Sequence, residues 1–259
     1  MQPSKQKPRL QSPLTPTPPV SKTRGRVLDL FSGTGSVAAV YRRHGYEVVT
    51  LDADNKFSAD IPVKVEEWVY KQLPVGHFTI IFAAPPCTEY SQALTSRPRK
   101  MDEADKVVQR TLEIIEYFKP QWWFLENPAT GHLKRRGLLT TVKSITVDYC
   151  QFAPWGYRKP TQVWGTVDHI TNVQCDGRTC PNMTLQLEPR VRARWKHRVR
   201  LEGTVVPLKE KYRIPERLIE YLNGWRQPPS TEELSAEIAL FVATKPPHRQ
   251  QENLPQRPS

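Results

Sequence analysis

Four short segments combine residue types that do chemistry with residue types that shape a backbone. Phe31-Ser32-Gly33-Thr34-Gly35 is a glycine loop, which lets the main chain turn tightly and approach a ligand at the N-terminus of the next helix. Asp52 lies about 20 residues further on, where a carboxylate can accept hydrogen bonds from ribose hydroxyls. A dinucleotide site has the same layout, but Ala38 stands where its third glycine belongs, so a nucleoside without pyrophosphate suits the loop better. Pro85-Pro86-Cys87 puts a thiol on a loop stiffened by two prolines, and Glu126-Asn127-Pro128 supplies a carboxylate. A nucleophilic thiolate needs a fixed direction of attack and surroundings that favour its ionisation, whereas most cysteines are small buried apolar residues. A carboxyl group at the end of a neighbouring strand moves the balance toward chemistry.

These segments need a frame that brings them together. Apolar runs at residues 26–31, 46–51, 78–84 and 121–125 read as strands. Residues 37–44, 65–73 and 102–118 read as helices, the last from the spacing of Val107, Val108, Leu112, Ile115 and Phe118. The alternation predicts an α/β domain built on a doubly wound, mostly parallel sheet. Ligands of such sheets bind beyond the carboxyl ends of the strands, where all four segments fall. The expected organisation is a basic Pro-rich disordered arm at 1–24, a catalytic domain at 25–167 and a small recognition region at 168–206. A helix at 207–226 would pack back on the catalytic domain, and 227–259 would be a mostly disordered tail, with a short helix weakly signalled around 231–242.

The chain has 259 residues and a net charge of +12, and that charge is localised. No acidic residue precedes Asp29, and the segment from Arg190 to Arg200 is basic at every second position. In extended form this segment puts Arg192, Arg194 and Arg198 on one face, with Val191, Trp195 and Val199 on the other. Such a ribbon suits a polyanion, although a solvated edge strand or a basic loop has the same composition. No run of about 18 apolar residues is present, which excludes a membrane-spanning helix. The N-terminus has no secretory pattern and four cysteines make no disulfide scaffold, so a reducing compartment, cytoplasmic or nuclear, is expected. Cys175 and Cys180 are half a zinc site. His169 and His197 could complete it, but nothing in the spacing makes them converge, so reduced surface thiols and no metal are expected.

Taken together, Asp29-Leu-Phe-Ser-Gly-Thr-Gly35, Asp52, Asp60-Ile61, Pro85-Pro-Cys87 and Glu126-Asn-Pro128 resemble the DNA (cytosine-5) methyltransferase family in both order and spacing. The resemblance covers about residues 27–166, with further similarity at 212–218, and is greatest to the short viral and mobile-element members. It implies a Rossmann-like methyltransferase fold, S-adenosyl-L-methionine as cofactor and DNA as partner, acting as a monomer. Phe31, Gly33, Gly35, Asp52, Asp60, Ile61 and Pro85 would bind the cofactor, with Asp52 on the ribose and Asp60-Ile61 on the adenine. Cys87 would add to carbon 6 of a flipped cytosine, and Glu126 would hydrogen-bond ring nitrogen 3 and the amino group. The family's Gln-x-Arg-x-Arg segment is replaced by Arg158-Lys-Pro-Thr-Gln162-Val-Trp164. Arg158 or Lys159 would then stand in for the missing arginines, and Gln162 would donate to the base carbonyl. This departure leaves open a catalytically inactive nucleic-acid-binding protein, and RNA in place of DNA. An exocyclic-amine methyltransferase fits poorly, because Ala84 and Cys87 occupy the two positions its loop needs.

Overall fold

Short, mostly apolar runs form the strands, and glycine, proline or charged residues at or soon after most of their ends turn the chain. The computed structural model describes residues 23–186, 194–199 and 206–244. The expected arm up to residue 22 and the segment from 245 onward lie outside the described residues. The main sheet contains β1 (Arg26–Leu30), β2 (Glu47–Leu51), β3 (Ile80–Ala83), β4 (Trp122–Pro128), β5 (Ser144–Asp148) and β6 (Pro160–Gly165). Their order is β2-β1-β3-β4-β6-β5; β1 to β4 run parallel, and β6 is antiparallel to both its neighbours. This is the mostly parallel Rossmann-like sheet that the alternation of elements predicts. The close approach of β6 to β4 demands glycine at 165, where a Cβ would lie 2.1 Å from the Trp123 carbonyl oxygen.

Alternation along the strands divides the core in two. Val27, Ile80, Phe82 and Phe124 pack on one face with Val37, Val40 and Tyr41 of α1 (Ser36–Arg43). Leu218 and Ile219 of α4 (Glu216–Leu222) close that layer. Leu28, Leu30, Ile81 and Leu125 pack on the other face with Val108, Ile114, Ile115 and Phe118 of α2 (Met101–Phe118). Full burial stabilises each of these side chains by about 1.5–3 kcal/mol, so both helices are fixed to the sheet that carries the loops.

Three expectations differ, among them the single helix at 207–226, which is two short helices separated by residues 212–215. Residues 65–73 form no α-helix, only a 3-10 turn at Tyr70–Gln72. Arg110 of α2 donates to the Val65 carbonyl at 3.4 Å and the Trp68 carbonyl at 3.1 Å, capturing acceptors a helix would use. Beyond residue 227 the chain continues as α5 (Thr231–Thr244), which matches the helix signalled around 231–242 within a tail expected to be mostly disordered. Its start is a reciprocal cap: Glu233 N–H donates to Ser230 Oγ, and Ser230 N–H donates to the Glu233 carboxylate. Buried Leu234 and Ile238, with an Arg217–Glu237 ion pair, dock the helix. A short α3 (Leu208–Lys211) precedes α4, and a separate hairpin pairs β7 (Met183–Gln186) with β8 (Arg194–His197). Among the described residues no helix is long and apolar enough to cross a membrane.

Candidate active site

Strand order reverses at β1, whose neighbours are β2 and β3, so the loops leaving these strands diverge and open a crevice. The loop after β1 is tightly wound. Phe31 takes a left-handed conformation (φ 62°), and the N–H groups of Phe31 and Ser32 both donate to the Leu51 carbonyl, at 2.8 and 3.1 Å. One carboxylate oxygen of Asp52 accepts the Gly33 N–H at 2.8 Å and the other the Asp54 N–H at 2.8 Å. Gly35, also left-handed (φ 72°), opens α1. The crevice has a volume of ≈ 240 Å³ and is lined by Phe31, Gly33, Asp52, Pro85, Cys87 and Glu126 among others. Residues from four strand ends therefore share one cleft.

Asp29, the first residue of the Asp29–Gly35 segment, also lines the cleft, although no individual role was expected of it. Its Oδ2 is buried without a hydrogen-bond partner. Burial pushes its carboxyl up to about 8, against the opposing pull of the Ala38 N–H and Arg42. Asp54, Phe57, Lys159 and Tyr212 complete the wall. Asp60 and Ile61 do not line it. The Asp60 carboxylate accepts from Thr50 N–H at 2.9 Å and Thr50 Oγ1 at 2.7 Å, and Ile61 pairs with Leu51, so both pin the loop beyond β2.

Cys87 sits on a segment anchored at both ends. Buried Asn127 donates to the Pro85 carbonyl at 2.9 Å. Tyr90 N–H donates to the Cys87 carbonyl at 3.1 Å, and the Tyr90 hydroxyl donates to Asp105 of α2 at 2.8 Å. Further along, Glu89 pairs with Arg97 and accepts the Lys100 N–H at 2.7 Å, folding the loop back on itself. Burial and the neighbouring Glu126 carboxylate push the Cys87 thiol up, while Lys159 pulls it down.

Glu126 is 5% exposed, and its Oε1 accepts the Tyr149 hydroxyl at 2.8 Å. Lys159 Nζ lies 3.6 Å from the same oxygen. Neither Arg158 nor Gln162 reaches the cleft. Arg158 makes a double hydrogen bond to Asp148, at 3.0 and 2.9 Å, and Gln162 donates to Ser144 Oγ at 2.9 Å. A larger neighbouring cleft of ≈ 610 Å³ contains no thiol. There Arg43, Arg213 and Arg217 pair with Glu216, Glu210 and Glu237. A fixed thiol beside a buried carboxylate, opening on a glycine loop, is equipped for addition to an electron-poor ring.

Residues 25–157 match the family of C-5 cytosine-specific DNA methylases. A protein of Frog virus 3 (isolate Goorha) described as a "Probable DNA (cytosine-5)-methyltransferase" is 35% identical over 217 residues, spanning 75% of this chain and 96% of its own. The chain belongs to the C-5 cytosine-specific DNA methylase family. Its enzyme class is DNA (cytosine-5)-methyltransferase. A solved E. coli chain, described as a DNA modification methyltransferase encoded within a prophage, is 16% identical with a TM-score of 0.42. That match covers 54% of this methylase and 45% of the solved chain.

Members of the methylase family act on DNA and draw their methyl group from S-adenosylmethionine. In this methylase the basic segment is described from Arg194 to Val199 only; Arg192 lies outside the described residues. Arg194 lies in β8, paired with Gln186. Arg198 turns inward, its guanidinium 3.1 Å from Asn182 Oδ1, because Asn182 also receives the Gly156 N–H and anchors the hairpin. Trp195, expected on the packed side, is 58% exposed. Sequence reasoning passed over Phe57 and Tyr149, and took Asp29 only as the first residue of the glycine-loop segment, without a role of its own.

Proposed function

We propose that the protein transfers a methyl group from S-adenosylmethionine to carbon 5 of cytosine in DNA, with Cys87 forming a covalent adduct at carbon 6 of a base flipped out of the duplex and the cofactor occupying the cleft between the loops after β1 and β3. One observation carries this reading: Cys87 and Glu126 line the same cleft as Asp52 and the glycine loop. The cleft's chemistry suits that cofactor. Asp52 keeps lone pairs beyond the two already used, which suits ribose hydroxyls, and Asp29, whose buried carboxyl stays protonated at neutral pH, offers an oxygen without a partner for one further hydrogen bond. Phe31, Gly33, Asp52 and Pro85 would hold it; Gly35 lies outside this cleft, where it opens α1, and Asp60 and Ile61 support the loop from behind. When bound, it supplies an electrophilic methyl group.

Cys87 adds through sulfur to carbon 6, and the displaced electron pair of the ring makes carbon 5 nucleophilic. Glu126 hydrogen-bonds ring nitrogen 3 and the amino group, stabilising charge as it develops. Tyr149 and Lys159 hold Glu126 in one orientation, and Lys159 favours the thiolate at Cys87. Once carbon 5 carries the methyl group, loss of its proton restores the ring and expels Cys87 as thiolate. The recognition region at 168–206 would bind the DNA backbone through basic residues of the 190–200 segment.

The test uses labelled S-adenosylmethionine and mixed-sequence DNA, followed by nucleoside analysis. The expected product is 5-methylcytosine; methylated amines or no product would overturn the reading. DNA containing 5-fluorocytosine should trap the wild-type chain covalently and leave Cys87→Ser free, since fluorine at carbon 5 cannot leave as a proton does. Trapping of Cys87→Ser would remove Cys87 from the role of nucleophile.

A further inference from the structure

The methylation chemistry leaves one cluster of nucleophilic side chains unused. Cys150 follows β5, Cys175 and Cys180 flank a loop, and His197 ends β8. One ligand atom from each lies within 4.8 Å of all the others. The three thiols are buried and unbridged, where surface thiols were expected. His169 is absent from the cluster: its Nε2 meets the Leu222 carbonyl at 3.0 Å and its ring packs edge-on against Trp122. Cys150 supplies the third sulfur instead.

The spacing matches a particular coordination geometry. His197 Nε2 stands 3.6 Å from both Cys175 Sγ and Cys180 Sγ. Zinc with Zn–S about 2.3 Å and Zn–N about 2.0–2.1 Å at tetrahedral angles places nitrogen and sulfur about 3.6 Å apart. The backbone N–H of Gly177 bonds to Cys175 sulfur and that of Asn182 to Cys180 sulfur. Donors of this kind orient thiolate ligands and spread their charge. Asp176 shapes the loop by accepting the N–H groups of Arg178 and Thr179.

We propose that Cys150, Cys175, Cys180 and His197 bind one Zn²⁺ in a closed structural site. Four protein ligands leave no position for water or substrate, so the ion is structural. It fastens the β7–β8 hairpin to the end of β5, reinforcing three hydrogen bonds already present. Asn182 donates to the carbonyls of Cys150 and Ala153 at 2.8 and 3.0 Å, and Asp148 accepts the Cys175 N–H at 2.7 Å. Tyr149 of the active site is the residue before Cys150, so the metal also braces the segment behind Glu126.

The experiment is metal analysis of untagged full-length protein, together with X-ray absorption at the zinc edge. The expected result is about one zinc per chain in a shell of three sulfurs and one nitrogen. His197→Cys should keep the metal in a four-sulfur shell, and Cys180→Ser should lose it. Absence of bound metal, iron in place of zinc, or a disulfide among the three cysteines on thiol titration would overturn the assignment. Should Cys180→Ser fail to fold, the absorption spectrum of the wild-type protein decides by itself. None of these readouts depends on methylation activity.

Discussion

Lys159 Nζ lies 3.6 Å from Glu126 Oε1 and 4.5 Å from the centroid of the Tyr149 ring, so one half-buried ammonium bridges a carboxylate and an aromatic face. It is also the cation that opposes the upward push of burial and Glu126 on the Cys87 thiol. Removing it as Lys159→Met should raise the thiol further. The thiolate fraction grows with pH, so the acidic limb of the methylation rate should move to higher pH. Activity at neutral pH should fall about tenfold for each pH unit by which that limb moves. A pH–rate profile superimposable on the wild type would dismiss this role for Lys159.

Tyr149→Phe removes the hydroxyl that donates to Glu126 at 2.8 Å. A hydrogen bond to a charged group contributes about 1.5–3 kcal/mol, so kcat/KM should fall about 10- to 100-fold. Tyr149 does not line the cleft, so S-adenosylmethionine affinity should be unchanged. Steady-state kinetics beside a cofactor titration checks both. Equal losses in the two would mean that the residue serves only to shape the fold.

Asp29 gives a pH dependence of stability. Its carboxyl is raised from 3.8 to about 8 by burial, so between those values the native state keeps a proton that the unfolded chain has lost. Stability should therefore fall as pH rises through this window and level off above about 8, with a slope from this group of at most about 1.4 kcal/mol per pH unit. Asp29→Asn should remove that slope. Denaturant unfolding of both chains at pH 5, 6, 7 and 8 tests it, and parallel curves would refute it.

Arg158 is expected to matter for stability more than for substrate. Its partner Asp148 is 0% exposed, while Arg158 itself is partly open to solvent. Arg158→Ala should destabilise the fold by about 2 kcal/mol, less than for a fully buried pair because solvent reaches the guanidinium. The KM for DNA should stay within about twofold of wild type, a change worth less than 0.5 kcal/mol. A large rise in KM with unaltered unfolding would restore Arg158 as a base contact.

Lys159 and Arg158 illustrate where sequence reading loses resolution. The missing family arginines point to this stretch, yet adjacent residues entering β6 reach opposite partners, Arg158 to Asp148 and Lys159 to Glu126. A shift of one residue in an extended segment exchanges the two faces, and only the pairing of β6 with β4 and β5 sets which cation reaches Glu126. Residues 65–73 fail for a related reason. Their apolar spacing fits a helix, but Arg110, more than 40 positions away, takes their carbonyls.

Much of the molecule is local in origin. The apolar runs of β1 to β4, the glycine loop and the paired prolines before Cys87 each carry their conformation in neighbouring residues, so the sheet and the order of its loops can be read along the chain. The capping pair Ser230 and Glu233 is equally local. Tertiary structure alone decided what depends on distant residues meeting: the buried unpaired oxygen of Asp29, Tyr149 and Lys159 on Glu126, and Cys150 joining Cys175, Cys180 and His197. Such contacts come from packing two faces of a sheet and docking a hairpin on its edge. Side-chain direction and burial, which no linear spacing encodes, fix the outcome.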